Sequence, residues 1–547
     1  MTDKQDATEA QSLAADLTLE EVVGQLICAS VGHHSDGAYA FSDSLEATKA
    51  LIQDLKLGGI CYFPVGERGV EPDRIKEVCD ELQEAAAKAG VLPLVTSVDQ
   101  EGGLVARMQE PGTRWPSAMA LAAGGDWDAV QEVSYMLGAE LRAAGLNQTY
   151  APVADVNTEP RNPIIGIRSA SSSPAVVAAF DHAAIRGFQQ VPIASCVKHF
   201  PGHGDTQVDS HVGLPVLGAN LEQWRKTEAV PFRAAIEAGV DSVMVGHLVA
   251  PGLDPSGERA TFSRQIVTGL LREELGFQGV IVTDALDMAG AQLTEGGGAA
   301  CVAALKAGID QLLMPRDPRA CVEAVLAAVA SGDLQEAELR ASAHRILAMK
   351  RKVGILPQDG SKGYSLAESI ESHHQQAASA IARSLTWRDG AHTFAAEGPV
   401  VVIAAPVPPS EGRGIEDVPA QIAAELEDRG VEAQVVALEE FVEHPDQVTG
   451  TESVLVVHDA WRDEDLSDAI LEATERGEFS AVVAARSPYD SAVVAEETPL
   501  LLTYGEIPGV GAKVAGVITG EDAPGVLPVD LPAPSGEILW TRELEEK

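Results

Sequence analysis

The chain has 547 residues, 45% of them hydrophobic and 22% charged. It is too long for one hydrophobic core, so two domains are expected. Its 82 acidic and 39 basic residues give a formal net charge of -43, which disfavours nucleic acid and anionic membranes as partners. No apolar run approaches the roughly 18 residues of a membrane span, and the N-terminal MTDKQDATEA does not resemble a signal peptide. We therefore expect a cytoplasmic protein.

The six cysteines form no CxxC pair, and several lie in apolar segments that look like strands or helices. Buried, reduced thiols are expected, in agreement with a reducing compartment. The cysteines therefore predict no zinc site.

Short apolar runs alternate with segments of helical periodicity over the first 350 residues. Such alternation predicts parallel strands, and eight units predict a closed (β/α)8 TIM barrel rather than an open sheet. The predicted strands are GQLICAS at 24, LGGICYF at 57, PLVTSVD at 93, QTYAPVADV at 148, IASCVKHF at 193, DSVMVGH at 241, GVIVTDA at 279 and GIDQLLM at 308.

A barrel collects its active-site residues at the C-terminal ends of the strands. Core-lining or loop-capping roles are favoured for His247, Asp155 and Asn157 taken singly. The polar residues at the predicted strand ends are Asp99, Asp155, Asn157, Lys198, His199, His247 and Asp284.

A second unit is predicted from about Gly398. Its apolar runs are PVVVIAA, AQVVAL, SVLVVH, SAVVAA, PLLLTY and KVAGVITG. Their alternation with helical or loop stretches indicates a smaller αβα-sandwich domain of the doubly wound kind. The run GVGAKVAG is not a GxGxxG motif, so no nucleotide site is predicted. The expected organisation is a barrel over 1–355, a linker with a connecting helix over 356–397, and the sandwich over 398–547.

The segment KHFPGHGDTQVDSH holds three histidines after the fifth predicted strand. His199 and His203 have the i, i+4 spacing of a helical metal pair, but Pro201 and the two glycines oppose a helix there. The glycines instead indicate a shaped loop that holds Lys198 and His199 at the barrel mouth. Donors in that place can bind hydroxyl groups.

Asp209 lies two residues before His211, close enough in a turn to accept a ring N–H. A carboxylate in that position orients the imidazole, selects its tautomer and favours its cation. Because an imidazole titrates near neutral pH, His211 is a candidate general acid and base.

Asp284 ends the seventh predicted strand, in VIVTDALDM. A carboxylate there can attack an anomeric carbon, and in the retaining scheme it stands about 5 Å from an acid/base. Asp284 is therefore the candidate nucleophile. For Asp287, three residues further on, a solvated or capping role is favoured.

The segments KHFPGHGDTQVDSH, VDQEGG at 98–103, NPIIGIRS at 162–169 and VTDALDM at 282–288 resemble the signatures of glycoside hydrolase family 3. The likeness is to its β-N-acetylglucosaminidases of the NagZ type, in their two-domain form. It implies that Asp284 is the nucleophile and that His211, tuned by Asp209, is the acid/base. It implies neither a metal nor an organic cofactor. The residues that would bind hydroxyls of the terminal sugar are Asp99, Arg107, Arg168, Lys198 and His199.

Two positions depart from the family's usual pattern. Leu104 stands where arginine commonly follows EGG, and Ala170-Ser171 replaces a common Phe-Gly. Neither touches the proposed nucleophile or the His–Asp pair, so the reaction is expected to survive while the leaving-group preference stays open.

The expected activity is that of a retaining exo-β-N-acetylglucosaminidase. Its substrate would be a small carbohydrate, either a peptidoglycan-derived muropeptide or a chitooligosaccharide, and the protein would be a monomer or a homodimer. One alternative keeps the same residues but transfers the sugar to phosphate, which a neutral histidine base would not repel. The others are a β-glucosidase of the same family and a non-catalytic sugar-binding protein.

Overall fold

The protein is an α/β structure in which parallel strands alternate with helices. The computed structural model describes residues 10–32, 41–64, 70–208, 213–293, 296–356, 364–390, 394–407, 416–444 and 452–541. Within these ranges no helix has both the length and the apolar character that crossing a bilayer requires.

Each apolar run predicted as a strand in the first 350 residues contains one. The predicted runs were short, apolar and bounded by polar or turn residues, which is the signal of a buried parallel strand. In chain order the strands are β1 (Ile27–Val31), β2 (Gly59–Tyr62), β3 (Val95–Val98), β4 (Gln100–Gly102), β5 (Val105–Ala106), β6 (Gln148–Thr149), β7 (Cys196–Phe200), β8 (Ser242–Val245), β9 (Val280–Thr283) and β10 (Leu312–Leu313).

These strands form two curled parallel sheets and one small hairpin. The sheets have the orders β10-β1-β2-β3-β6 and β7-β8-β9, and the hairpin pairs β4 with β5. Isolated parallel bridges connect the two sheets on both sides, from Gln148 to Ala194 and from Val282 to Gln311. The C-terminal ends of the parallel strands therefore lie on one side of this half.

Helices connect most of these strands. The segment 220–239 forms two helices with a break at Thr227. Pro231 explains the break, because its ring has no N–H and clashes with the carbonyl four residues earlier, that of Thr227. The helices of this half are Leu19–Gln25, Phe41–Leu55, Pro72–Lys88, Ala118–Ala123, Trp127–Ala143, Pro174–Phe188, Leu221–Lys226, Ala229–Glu237, the π-helix Gln265–Glu274, Gly297–Ala307, Pro318–Ser331 and Glu336–Lys352.

The second half is built on one further sheet, with a small hairpin after it. Its strands are β11 (Thr386–Trp387), β12 (Val400–Ala404), β13 (Ala433–Ala437), β14 (Glu452–Val457), β15 (Ala481–Ala484) and β16 (Leu500–Leu502), followed by β17 (Leu531–Pro532) and β18 (Ile538–Trp540). The sheet order is β11-β16-β15-β14-β12-β13, and β11 is the antiparallel member. Its helices are Ile370–Ser384, Val418–Asp428, Leu438–Glu443, Glu464–Glu475 and Val510–Ile518.

Two expectations for this half need correction. The run KVAGVITG, placed among the strand-like runs, lies mostly in the helix Val510–Ile518. A short, mostly apolar run does not distinguish a buried strand from a buried helix. In addition, β11 lies within 356–397, the range expected to be a linker and a connecting helix, yet it pairs with β16.

The buried cores follow this arrangement. The cysteines are all buried and unpaired, as predicted, and Cys28, Cys61 and Cys196 pack with Met244 inside the first half. In the second half, alternate residues of β12 face opposite sides of the sheet, so that Val401 and Val402 belong to different apolar clusters. Both faces of the second sheet are therefore covered.

Candidate active site

One cavity of about 350 Å³ opens at the C-terminal ends of the strands of the first half. Its volume falls in the range of small-ligand sites. The predicted site residues that line it are Asp99, Arg107, Arg168, Lys198, His199 and Asp284.

Lys198 lies at the centre of an ion-pair network in this cavity. Its side chain is 3% exposed, and its Nζ lies 2.7 Å from Asp99 Oδ1 and 2.6 Å from Glu101 Oε1. Burial works against the ammonium, but the two carboxylates raise the pKa of Lys198 above its ordinary value. Lys198 is therefore charged and held rigidly.

Glu101 is a site residue that the motif analysis missed. It accepts two hydrogen bonds from Arg168, from Nε and NH2, each at 2.9 Å. Despite its burial, Arg168 and Lys198 hold the pKa of this carboxyl well below its usual range, and the same pairing raises the pKa of Arg168. The available signal was its place two residues after Asp99, the spacing at which side chains of an extended chain point the same way.

His199 is oriented by Asp155, which is fully buried. The carboxylate of Asp155 lies 2.7 Å from His199 Nδ1 and accepts from the backbone N–H groups of His199 and His203 at 3.2 and 2.7 Å. Although burial opposes ionisation, His199 and these hydrogen bonds lower the pKa of Asp155. Nδ1 therefore carries the hydrogen, and His199 Nε2 lies 3.4 Å from Arg168 NH2.

His203, the other member of the apparent metal pair, is held differently. Its Nδ1 lies 2.8 Å from the Thr206 hydroxyl, and its ring meets that of His199 edge-on at 5.9 Å. Burial lowers the pKa of His203 to about 4, so the ring is neutral. In the part of the chain that the structure describes, no group of three or more histidine, cysteine, aspartate or glutamate residues is arranged to hold a metal ion.

The glycines of this loop allow a close approach of two backbones. A Cβ on Gly204 would lie 1.9 Å from the carbonyl oxygen of Val156. Any side chain there would separate the loop after β7 from the segment that follows Ala154. This shaped loop agrees with the interpretation of its glycines.

Asp284 follows β9, and its main chain is fixed on both sides. Its N–H donates to Val245 O at 2.9 Å, and its Oδ1 accepts from the N–H of Ala285 at 2.8 Å. His247, fully buried, donates from Nε2 to the carbonyl of Ala285 at 3.0 Å, with Thr261 Oγ1 at 2.8 Å from its Nδ1. His247 thus supports the turn that presents Asp284.

Arg107 enters the cavity from the β4–β5 hairpin. Gln100 holds this hairpin, since its Oε1 accepts from the N–H groups of Arg107 and Met108 at 2.7 and 2.9 Å. The guanidinium of Arg107 lies 4.2 Å above the ring of Phe63, a cation–π geometry. Phe63 therefore forms part of the wall beside Arg107.

Asp209 and His211 lie outside the described residues, so the His–Asp pair stays a prediction. Asp287, for which a solvated or capping role was favoured, lines the same cavity as Asp284. The positions that depart from the family pattern lie near the second half. Leu104 packs against an apolar cluster that both halves share, and Ser171 donates to the carbonyl of Pro528 at 2.5 Å.

Several known proteins are similar to this chain. A Beta-hexosaminidase A of Pseudoalteromonas piscicida is 35% identical over 390 residues, which cover 65% of this chain and 64% of that protein. A Beta-hexosaminidase of Pseudomonas aeruginosa (strain LESB58) is 35% identical over 283 residues, 51% of this chain and 81% of that protein. The chain thus spans slightly less than two thirds of the length of the first of these relatives.

The likeness extends to solved structures. A glycoside hydrolase family 3 beta-N-acetylglucosaminidase from Paenibacillus sp. str. FPU-7 superposes with a TM-score of 0.84 at 32% identity, covering 94% of this chain and 99% of that one. Residues 18–349 match the family described as Glycosyl hydrolase family 3 N terminal domain. Because that match takes in more than half of the chain, the protein belongs to glycosyl hydrolase family 3.

Proposed function

We propose that the protein is a retaining exo-β-N-acetylglucosaminidase. It would release terminal β-linked N-acetylglucosamine from peptidoglycan-derived muropeptides or chitooligosaccharides. The observation that carries this proposal is the placement of Asp284 in the same 350 Å³ cavity as the ion-pair network of Lys198 and Arg168. The names of the hexosaminidase and N-acetylglucosaminidase relatives support the choice of sugar.

In this proposal the sugar is bound by charged groups whose positions are set in advance. Lys198 and Arg168 are donors only, whereas Asp99 and Glu101 accept. Each hydroxyl of a pyranose ring can both donate and accept a hydrogen bond. A cavity wall in which donors alternate with acceptors can therefore bind neighbouring hydroxyls. Because the ion pairs hold these side chains in place, little ordering is required on binding.

Asp284 would attack the anomeric carbon and form a covalent glycosyl-enzyme. The proton of the imidazolium of His211 would pass to the departing glycosidic oxygen. In the second step the neutral imidazole would take a proton from water, the resulting oxygen would bond to the anomeric carbon, and Asp284 would leave as a carboxylate. Inversion at each of the two steps gives net retention.

The finer architecture is also proposed. We infer that β1, β2, β3 and β6–β10 close into a (β/α)8 barrel over 1–355, supported by the bridges Gln148–Ala194 and Val282–Gln311. The range 356–397, apart from β11, which belongs to the second sheet, would link it to an αβα sandwich over 398–547, whose strands have apolar residues on both faces.

The role of Asp284 is tested by replacing it. We expect Asp284→Asn to lower kcat for a nitrophenyl β-N-acetylglucosaminide by ~10⁴–10⁶-fold, since the nucleophile is lost. Asp287→Asn is the matched control, because Asp287 lines the same cavity, and it should keep most of the activity. Undiminished turnover in Asp284→Asn would show that the nucleophile is another group.

Phosphate is the competing acceptor, and the charges of the cavity disfavour it. The cavity-lining residues that the structure describes include four carboxylates and three lysine or arginine side chains. This excess of negative charge repels an incoming anion. Turnover of the nitrophenyl N-acetylglucosaminide should therefore be the same in phosphate and in phosphate-free buffer; a sugar 1-phosphate product would establish a phosphorylase instead.

Faster cleavage of the matching glucoside would favour the β-glucosidase alternative.

A further inference from the structure

The segment 155–171 contacts both the cavity and the second half of the chain. It begins at Asp155, which orients His199, and near its end it carries Arg168. On the cavity side Arg168 binds Glu101, and its NH1 donates to the carbonyl of Ile164 at 3.0 Å. The position of this segment therefore sets the position of a proposed sugar-binding arginine.

The other side of the segment is attached to the second half by buried hydrogen bonds. Asn157 donates from Nδ2 to the hydroxyl of Tyr489 at 2.7 Å, and these residues are 1% and 3% exposed. Ser171 donates to Pro528 O at 2.5 Å. These contacts lie at opposite ends of the segment, so both ends are anchored.

Between these anchors, Ile167 lies in an apolar cluster that both halves share. It is 4% exposed and belongs to a cluster that includes Ile403 of β12, Leu455 of β14 and Tyr489. Arg168, the next residue, extends instead to Glu101. Because their Cα atoms are joined by one peptide unit, displacement of Ile167 displaces Arg168.

The same segment supports the loop that follows β7. Asn162 Nδ2 donates to the carbonyl of His203 at 2.8 Å, and Thr158 Oγ1 donates to Asp205 Oδ1 at 3.0 Å. With the contact between Gly204 and Val156, these bonds connect the segment to the residues just before Asp209.

We propose that the second half positions Arg168 for sugar binding, and that Tyr489 and Ile167 are the positioning residues. Neither side chain lines the cavity, so each acts through segment 155–171. This inference rests on the proposed role of Arg168 in binding the sugar. It assigns the second half a part in substrate affinity rather than packing alone.

The test compares two contacts between the halves in the full-length protein. Tyr489→Phe removes the acceptor of Asn157. The control, Tyr135→Phe, makes the same chemical change on the helix Trp127–Ala143, outside the segment, and removes a hydrogen bond from the Tyr135 hydroxyl to Glu368 at 3.1 Å. We expect Tyr489→Phe to raise KM for the nitrophenyl N-acetylglucosaminide by ~5–20-fold with little change in kcat, the sign of lost uniform binding. Tyr135→Phe should leave KM unchanged, even where it lowers the thermal midpoint equally.

A double variant shows whether the effect passes through Arg168. If it does, Tyr489→Phe combined with Arg168→Ala should have the KM of Arg168→Ala alone, because the second change has nothing left to displace. Multiplied effects, or equal KM values in Tyr489→Phe and Tyr135→Phe, would overturn the positioning role. An unchanged KM in Arg168→Ala would instead refute the proposed sugar contact, and the positioning role with it.

Ile167→Val gives an independent reading if Tyr489→Phe yields little folded protein. It removes one methylene from the shared apolar cluster and no hydrogen bond. If Ile167→Val raises KM, and if this increase is absent in the Arg168→Ala background, the proposal is supported. An unchanged KM in Ile167→Val contradicts it.

Discussion

Replacing Glu101 with glutamine would keep the size of the side chain but remove the charge that Arg168 and Lys198 share. The side chains of the Arg168–Glu101 pair are 9% and 6% exposed. Removing one partner of such a buried pair costs about 3–5 kcal/mol, because the other charge stays buried without compensation. Lys198 keeps Asp99 at 2.7 Å, so we expect the lower end, about 3 kcal/mol in the free energy of unfolding.

The pair of Arg225 and Glu274 provides a matched control. Its two hydrogen bonds, at 2.7 and 2.8 Å, have the same fork geometry, but the side chains are 46% and 29% exposed. An exposed pair contributes about 0–1 kcal/mol, so Glu274→Gln should change little. The two variants therefore differ chiefly in burial.

Urea denaturation at pH 7 measures both variants against the wild type. Since the pKa of Glu101 is depressed in the folded state, its contribution is present above its ordinary value of 4.5 and is lost as the pH falls below it. The loss in Glu101→Gln should accordingly be smaller in acid than at pH 7. Equal losses in Glu101→Gln and Glu274→Gln at pH 7 would refute the argument from burial. The same substitution should lower kcat/KM by ~10–100-fold, because Arg168 loses its orienting charge.

Three further predictions concern other buried groups. Asp155→Asn should lower kcat/KM by ~10–100-fold through loss of a charged hydrogen bond to His199; steady-state kinetics that match the wild type would contradict the orienting role. Burial raises the pKa of Glu228 to about 7 from 4.5. Between these pH values the folded state keeps a proton that the unfolded chain releases. The free energy of unfolding should therefore fall by roughly 3 kcal/mol as the pH rises through this range. Glu228→Gln should abolish that fall, which urea titrations at pH 4.5 and 8 would measure. Burial lowers the pKa of Lys350 to about 7 from 10.5. Between these pH values the unfolded chain binds a proton that the folded state does not, so the free energy of unfolding should rise from pH 7 to 10.5. Lys350→Met should flatten this rise, and a wild-type slope in that variant would show that Lys350 is not its source.

Much of the secondary structure follows from local patterns. The strands β1, β2, β3 and β6–β10 were predictable because each is a short apolar run closed by polar residues. The helix Val510–Ile518 was not, because its residues apart from Lys513 are apolar, and so short a run does not distinguish a buried helix from a buried strand. The break at Thr227 could be predicted only by weighing the effect of Pro231 against the helical periodicity, which continues beyond this proline.

The residues of the candidate site were likewise predicted only in part. Motifs and strand ends indicated Asp99, Lys198, His199 and Asp284, and the structure shows these side chains around one cavity. The motif analysis missed Glu101, because its role depends on Arg168 and Lys198. These residues are 67 and 97 positions away and contact Glu101 only in the folded protein.

Local patterns and motifs were enough to predict the order of the strands along the chain, the helices between most of them, the family and the polar residues at strand ends. These are properties of neighbouring residues, which periodicity and motifs record. Three contacts could be seen only in the folded protein: Asp155 binds His199, Glu101 connects Lys198 to Arg168, and Tyr489 of the second half binds segment 155–171. Such contacts join residues distant in the chain, and their strength comes from burial, which exists only once both halves are folded.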